Sequence, residues 1–261
     1  MPALVLVSAK GSPGVTTAAA ALAAVAASAG AAAGGGLLAE LDPSGGSVQV
    51  QAAGPAAWGL VDAAGRLRRQ ASADAIRDHV TVLPPGVPVL LAPPAGHIAE
   101  SVIGSGGERW LTALRAAGAD VVVDGGRWEP SQRTAGRILG ADIVGLVCRP
   151  TVAGVETARL ALDRLRAVAR APVAVVVVGR RPYAPDEIAQ HLDVPLGGAL
   201  AWDPRAVATL WGDGVTGRWL RSSLARSATA TRATLADLVV RSQALAGARP
   251  PAGASPQAPV R

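Results

Sequence analysis

A chain of 261 residues, half of them hydrophobic, is long enough to bury one sizeable core. It carries 25 basic and 19 acidic residues, a formal net charge of +6, and a single cysteine. One cysteine excludes an internal disulfide and fits a reducing, cytoplasmic compartment.

The apolar run 3–7 predicts a first strand rather than a signal peptide, because Met1-Pro2-Ala3 brings no cluster of positive charge. It leads into Ser8-Ala9-Lys10-Gly11-Ser12-Pro13-Gly14-Val15-Thr16-Thr17, and the Ala-rich segment 18–29 leads out. Strand, glycine turn and helix is the geometry that aims backbone N–H groups at a phosphate, with the helix N-terminus adding partial positive charge. Gly11-x-x-Gly14 followed by two threonines matches the second half of a phosphate loop, with Val15 where a lysine is expected. Lys10 is the only lysine in the chain. Arginine serves as every other basic residue, so a lysine kept in this loop points to a need for a compact ammonium. The alternative is a plain Gly/Pro turn.

Alanine is weakly apolar and Gly34-Gly35-Gly36 interrupts the segment, so residues 18–36 predict a buried helix and no transmembrane span. Residues 37–46, Leu-Leu-Ala-Glu-Leu-Asp-Pro-Ser-Gly-Gly, read as a short strand and a Pro/Gly turn. Asp42 then stands at the carboxyl end of that strand, the edge where open α/β sheets bind ligands. An Asp-Pro turn without function is the bland alternative. Residues 45–69 are loop and helix material with Trp58 as an anchor. Leu67, Ala71 and Ala75 among arginines suggest one partly exposed helix. Residues 80–86 and 87–92 are two short extended runs about a Pro-Gly turn. A helix over 108–117 carries Trp110 and Leu114 on one face.

Residues 120–127, Asp-Val-Val-Val-Asp-Gly-Gly-Arg, form the second clear signal. Three valines in a row predict a strand buried on both faces, ending in Asp124 with two glycines behind it. A helix over 134–139, a strand over 143–148, a helix over 154–170 and a strand over 172–178 follow. Gly179-Arg180-Arg181-Pro182 ends that strand. A short helix (186–192), a last strand (194–200) and a final helix (223–245) complete one domain over 1–248. Residues 249–261 are predicted to be a disordered Pro/Ala-rich tail. The alternation predicts an α/β fold, a mostly parallel, doubly wound sheet with helices on both faces.

Residues 205–261 hold eight arginines against Asp213 and Asp237, so all of the net charge of +6 sits in the C-terminal fifth. Such a surface faces solvent, or polyanions such as non-specific DNA or an acidic protein. A membrane surface is disfavoured: the stripe Leu235, Leu238, Val239 and Leu245 is expected on the core, and the tail lacks an insertion face. His79, His97 and His191 lack metal-ligand spacing, Cys148 follows a buried strand, and no G-x-S-x-G turn is present.

On these residues the loop resembles the deviant Walker A loop of the ParA/MinD family of ATPases, which reads K-G-G-x-G-K-T-T and here reads K-G-S-P-G-V-T-T. Glu40 and Asp42 resemble the two acidic positions of the family's D-x-D-P-x-G segment, and residues 120–126, with Asp124 followed by Gly125 and Gly126, resemble its D-x-x-G switch. Trp202-Asp203-Pro204-Arg205 resembles its late Asp-containing turn. The resemblance implies a P-loop fold and MgATP held by Lys10, Gly11, Ser12, Pro13, Gly14, Val15, Thr16 and Thr17. It implies Gly126 approaching the γ-phosphate and Arg180 in the turn that reads adenine in the family. It places Mg2+ at Thr16, Asp42 and Asp124, and catalytic roles on Asp42 and on Lys10, which in the family reaches across a homodimer to the partner's nucleotide. Val15 departs from the pattern, which implies weak ATP binding and slow or absent hydrolysis. The implied role is a nucleotide-dependent positional switch in chromosome partitioning, septum placement, or pilus, flagellum or secretion assembly with protein partners. A catalytically inert scaffold is the alternative class. A ligase or kinase on the same fold is a third, with no acceptor site visible.

Overall fold

The computed structural model describes residues 3–10, 14–30, 35–52, 58–83, 86–117, 120–129 and 132–247. The chain begins with β1 (Leu4–Ser8), α1 (Val15–Ala29), β2 (Gly36–Glu40) and α2 (Val48–Gln51). Then come α3 (Gly59–Leu67), α4 (Asp74–Arg77), β3 (Thr81–Leu83) and β4 (Val87–Leu90). Helices α5 (Gly96–Gly106) and α6 (Arg109–Ala116) precede β5 (Asp120–Arg127), α7 (Gln132–Leu139) and β6 (Ile143–Cys148). The last third holds α8 (Val152–Arg166), β7 (Val173–Val178), α9 (Pro185–Leu192) and β8 (Leu196–Leu200). It ends with α10 (Pro204–Gly212), α11 (Gly217–Leu220) and α12 (Ser223–Gly247).

The strands form one eight-stranded sheet in the order β3-β4-β2-β5-β1-β6-β7-β8, parallel throughout except for the β3–β4 hairpin. The predicted doubly wound α/β architecture is therefore the observed one. Side chains alternate faces along each strand. In β1, Val5 and Val7 join an apolar cluster with α3 to α9, while Leu4 and Leu6 join a second cluster with α1, α10 and α12. Val121 and Val123 of β5 go to the first cluster and Val122 to the second. That is why these strands read as unbroken apolar runs. Helix α1 is buried from Ala18 to Ala26 because its alanines let it lie close under both the sheet and α12. Among the described residues, no helix is long and apolar enough to cross a membrane.

Several local expectations are corrected. Trp58 is 45% exposed and not a buried anchor; the buried indoles are Trp110, Trp128 and Trp219, of which Trp110 donates to the carbonyl of Ile103 and Trp219 to that of Ala206. The helix expected through Leu67, Ala71 and Ala75 is two helices, α3 and α4, separated by a break. Helices α5, α10 and α11 add to the expected elements. Strand β5 runs on past Asp124 to Arg127. Leu235 and Val239 of α12 are buried, but Leu245 is 74% exposed and lies off the core. The tail expected over 249–261 lies outside the described residues.

Candidate functional site

Strands β2, β5 and β1 lie side by side, and their register sets Leu6 and Glu40 on either side of Asp124. The carboxyl edge of this trio therefore gathers three acidic residues from segments far apart in sequence: Glu40, Asp42 and Asp124. Helix α1 starts at the same edge. Gly14, at φ 96°, supplies the left-handed turn into it, a conformation that side chains rarely adopt. Among the described residues no side chain caps this N-terminus, so its first amides carry their partial positive charge outward. Gly11, Ser12 and Pro13, the tip of the predicted loop, lie outside the described residues. Lys10 stands exposed just before them.

The three carboxylates have different work. Glu40 is buried and accepts hydrogen bonds from the N–H groups of Ser47 (2.8 Å), Val48 (2.9 Å) and Ala92 (3.1 Å). Burial pushes its carboxyl above the usual range, against the pull of those three bonds. Glu40 is thus occupied in tying the β2 turn to the end of β4. Asp42 accepts from the Ser44 N–H at 2.8 Å and lies against Gly126. A Cβ at Gly126 would come within 2.0 Å of the Asp42 Cγ, and Gly126 has φ 61°, so the contact demands glycine on two counts. Asp124 is 1% exposed; its Oδ1 accepts from the Gly126 N–H at 3.0 Å, and it is hydrogen-bonded to the Thr16 hydroxyl. Burial pushes the Asp124 carboxyl up to about 7, with the charges of Asp42 and Glu40 adding to the effect and Thr16 opposing it. A buried carboxylate in this state gains from a cation nearby.

The structure thus brings Thr16, Asp42, Asp124 and Gly126 into one corner beside the α1 N-terminus. Among the described residues, no three His, Cys, Asp or Glu side chains are grouped to hold a metal ion. A Mg2+ here would rest on the Thr16 hydroxyl, one or two carboxylates, and oxygens of water and of a phosphate, the set this ion favours. The residues present fit such an ion and a nucleoside phosphate. Position 15 does not contribute: Val15 is 6% exposed and its side chain belongs to the apolar cluster beneath α1.

A pocket of about 340 Å³ opens beside the same helix start, lined among others by Gly14, Thr17, Arg149, Val178, Trp202 and Pro204. Arg149 lies over the Trp202 ring at 4.2 Å. Asp203 caps α10 by accepting from the Ala206 N–H at 3.0 Å and accepts from the Ser223 hydroxyl at 2.6 Å, which pins the start of α12 to the pocket rim. The Ser223 bond chiefly, and then the Ala206 bond, hold its carboxyl below the usual range. Arg180 is exposed and does not line this pocket among the described residues.

Sequence reasoning missed two cations here, Arg149 and Arg137. Arg137, on α7, is 1% exposed; its Nε donates to the Gly125 carbonyl at 3.2 Å and its Nη2 to that of Arg127 at 3.1 Å. It also lies over the Trp128 ring at 5.2 Å. Neither had a spacing signal: Arg149 follows the end of β6 and Arg137 lies inside α7, and only tertiary contact brings them here. Elsewhere, Cys148 is buried and its thiol is pushed up to about 12 by burial, which removes thiolate chemistry. Of the C-terminal arginines, Arg205, Arg218, Arg221, Arg226 and Arg241 are exposed, while Arg232 is paired with Asp120.

The order of this sheet, with two acidic strand ends side by side next to a glycine turn into a helix, is that of the P-loop α/β fold. The solved structures it is similar to narrow that class to the ParA/MinD fold. A ParA family ATPase from Chlorobium tepidum superposes with a TM-score of 0.71 at 17% identity, over 89% of this chain and 98% of that one. MinD complexed with Mg-ADP from Pyrococcus horikoshii gives 0.65 at 16%, over 94% and 97%. An ATP complex of a McdA variant from Cyanothece gives 0.65 at 15%, over 90% and 96%. No family model matches the sequence. No curated protein matches it.

Proposed function

We propose that this protein binds MgATP and acts as a ParA/MinD-like positional switch, with weak nucleotide affinity and slow or absent hydrolysis. The observation that carries this reading is the corner formed by Thr16, Asp42, Asp124 and Gly126 at the N-terminus of α1. A hydroxyl, two carboxylates and a glycine backbone at that point are what a magnesium-bound triphosphate needs. Structures sharing the fold include complexes with Mg-ADP and with ATP, which supports the choice of ligand. In this reading the α1 amides take the phosphates, Thr16 and Asp124 with Asp42 hold the ion, and the pocket beside Trp202 takes the nucleoside end. Lys10, exposed at the front of the loop, serves a nucleotide across a homodimer. The partners are components of a partitioning, division or secretion/pilus machinery, and the exposed C-terminal arginines give non-specific contact with DNA.

Val15 favours the second reading, an inert scaffold that works through protein partners. With an apolar side chain in the core at that position, the loop lacks one cation toward the phosphates. A charge-assisted contact is worth about 1.5–3 kcal/mol, so its loss weakens binding roughly ten- to a hundred-fold. Equilibrium dialysis with ATP at several magnesium concentrations decides between them. Magnesium-dependent binding in the upper micromolar to millimolar range is expected; no binding at millimolar MgATP establishes the scaffold.

A further inference from the structure

The carboxyl end of β5 is irregular. Leu6 of β1 pairs with Asp124 and Ser8 pairs with Arg127, so Gly125 and Gly126 together stand opposite Val7 alone. This is a β-bulge, a device that re-aims the backbone beside a site. Here it turns Gly126 onto the Asp42 carboxylate and its N–H onto Asp124. A bulge in two successive glycines is cheap to form and equally cheap to undo, so something must hold it. Arg137 donates to the carbonyls on both sides of Gly126, those of Gly125 and Arg127. Trp128 covers the guanidinium and donates its backbone N–H to the Ser8 carbonyl at 2.7 Å. A planar fork that bridges two carbonyls fixes a geometry that a single-point ammonium does not.

We propose that Arg137 is the positioning residue of the site: its guanidinium staples the β5 bulge, so that Gly126 and Asp42 stay in register with Thr16 and Asp124. It also places a buried cation at the bulge, where position 15 offers none. Charge supports the assignment. Burial pulls the Arg137 guanidinium down to about 10, and the carboxylates of Asp42 and then Glu129 resist that fall. An arginine held at 1% exposure by backbone carbonyls costs desolvation energy that a leucine would not, so its presence at this bulge is better explained by what it positions than by packing.

The staple rests on the nucleotide reading for its purpose but not for its geometry, and the experiment separates the two. Arg137→Lys and Arg137→Met are compared with the unaltered protein by thermal unfolding, by hydrogen exchange of peptides spanning 121–128 without ligand, and by MgATP dialysis. Arg137→Lys keeps the charge without the fork. It is expected to melt within a few degrees of the parent, to lose exchange protection at Gly126–Trp128 about ten-fold or more, and to bind MgATP about ten-fold more weakly. Arg137→Met is expected to lose more on all three counts. If Arg137→Lys retains both the protection and the affinity of the parent, the arginine is only a buried charge and the proposal is overturned. If no protein binds MgATP yet protection still falls in both variants, the nucleotide reading fails while the staple stands. If protection is unchanged in both variants, the staple fails whatever the nucleotide does.

Discussion

Replacing Asp124 by asparagine probes the most perturbed group in the site. The Asp124 carboxyl, raised from 3.8 to about 7 chiefly by burial, takes up a proton on folding between those two values. Its contribution to stability is fully present below about pH 4 and is lost as the pH climbs through 7. Holding it ionised in the fold costs about 4 kcal/mol, from roughly 1.4 kcal/mol for each tenfold change in proton affinity. About 2–3 kcal/mol of this falls between pH 5 and pH 8. The asparagine keeps the oxygen that accepts from Gly126, and its amide can donate to Thr16 once that hydroxyl turns. Asp124→Asn is therefore expected to melt well above the parent at pH 8, by about 8–16 °C for about 4 kcal/mol at 2–4 °C per kcal/mol, and less than half as far above it at pH 5. Glu40, also raised, leaves part of the slope in both proteins, so the difference between them is the quantity to read. Magnesium nucleotide should narrow the gap by stabilising the ionised parent alone. Differential scanning calorimetry across pH 5–8 measures this. Equal melting temperatures for the two proteins at every pH would refute the reasoning.

Gly126→Ala should be among the most disruptive small changes in the chain, costing at least about 2 kcal/mol through positive φ and collision with Asp42, while Gly65→Ala, in open space on α3, should be neutral or stabilising; urea titration compares them. Lys10→Ala should leave the fold intact and abolish ATP-dependent self-association, as read by sedimentation; unchanged sedimentation of parent and variant with ATP counts against the cross-dimer role. Changing Arg221, Arg226 and Arg241 together to Ala should weaken duplex DNA binding and flatten its salt dependence by about 0.9 log–log units for each phosphate no longer neutralised; equal filter binding by both proteins would make these arginines a solvated face. Arg232 is kept in that variant because its pairing with Asp120 belongs to the fold. Val15→Lys should tighten MgATP binding about ten- to a hundred-fold at some cost in melting temperature, since the new stem must leave an apolar cluster; no gain by dialysis would mean that the loop is not shaped for phosphate.

What could be read from the chain was whatever local chemistry decides. The valines of β5 and β7 are apolar on every position because both faces of the sheet are covered, and a run of that kind has few other readings. Gly14 and Gly126 showed as punctuation, and each proves to hold a positive φ. Elements set by tertiary contact did not show. Trp58 looked like an anchor by residue type alone, and whether an indole is buried depends on what the fold brings over it. The break between α3 and α4 falls where no glycine or proline marks it. Glu40 reads as an acidic strand end beside Asp42, yet its partners lie seven, eight and 52 residues away, and they make it a structural tie.

The same distinction governs Val15 and Arg137. Substituting valine for the expected lysine removes a cation at a position that sequence makes conspicuous. Arg137 supplies one at a position that sequence leaves ordinary, inside a short helix between Gly136 and Ile138. The two are not equivalent. A P-loop lysine reaches out to the ligand's phosphates, whereas Arg137 points at the protein's own carbonyls and meets the charge of Asp42 only through space. Among the described residues, the positive charge the site offers outward then comes from the α1 amides, Lys10 and Arg149 at the rim of the adjoining pocket. In the MgATP reading proposed above, the nucleotide would bring its own cation, and the raised Asp124 carboxyl would be the group to release a proton as that ion bound.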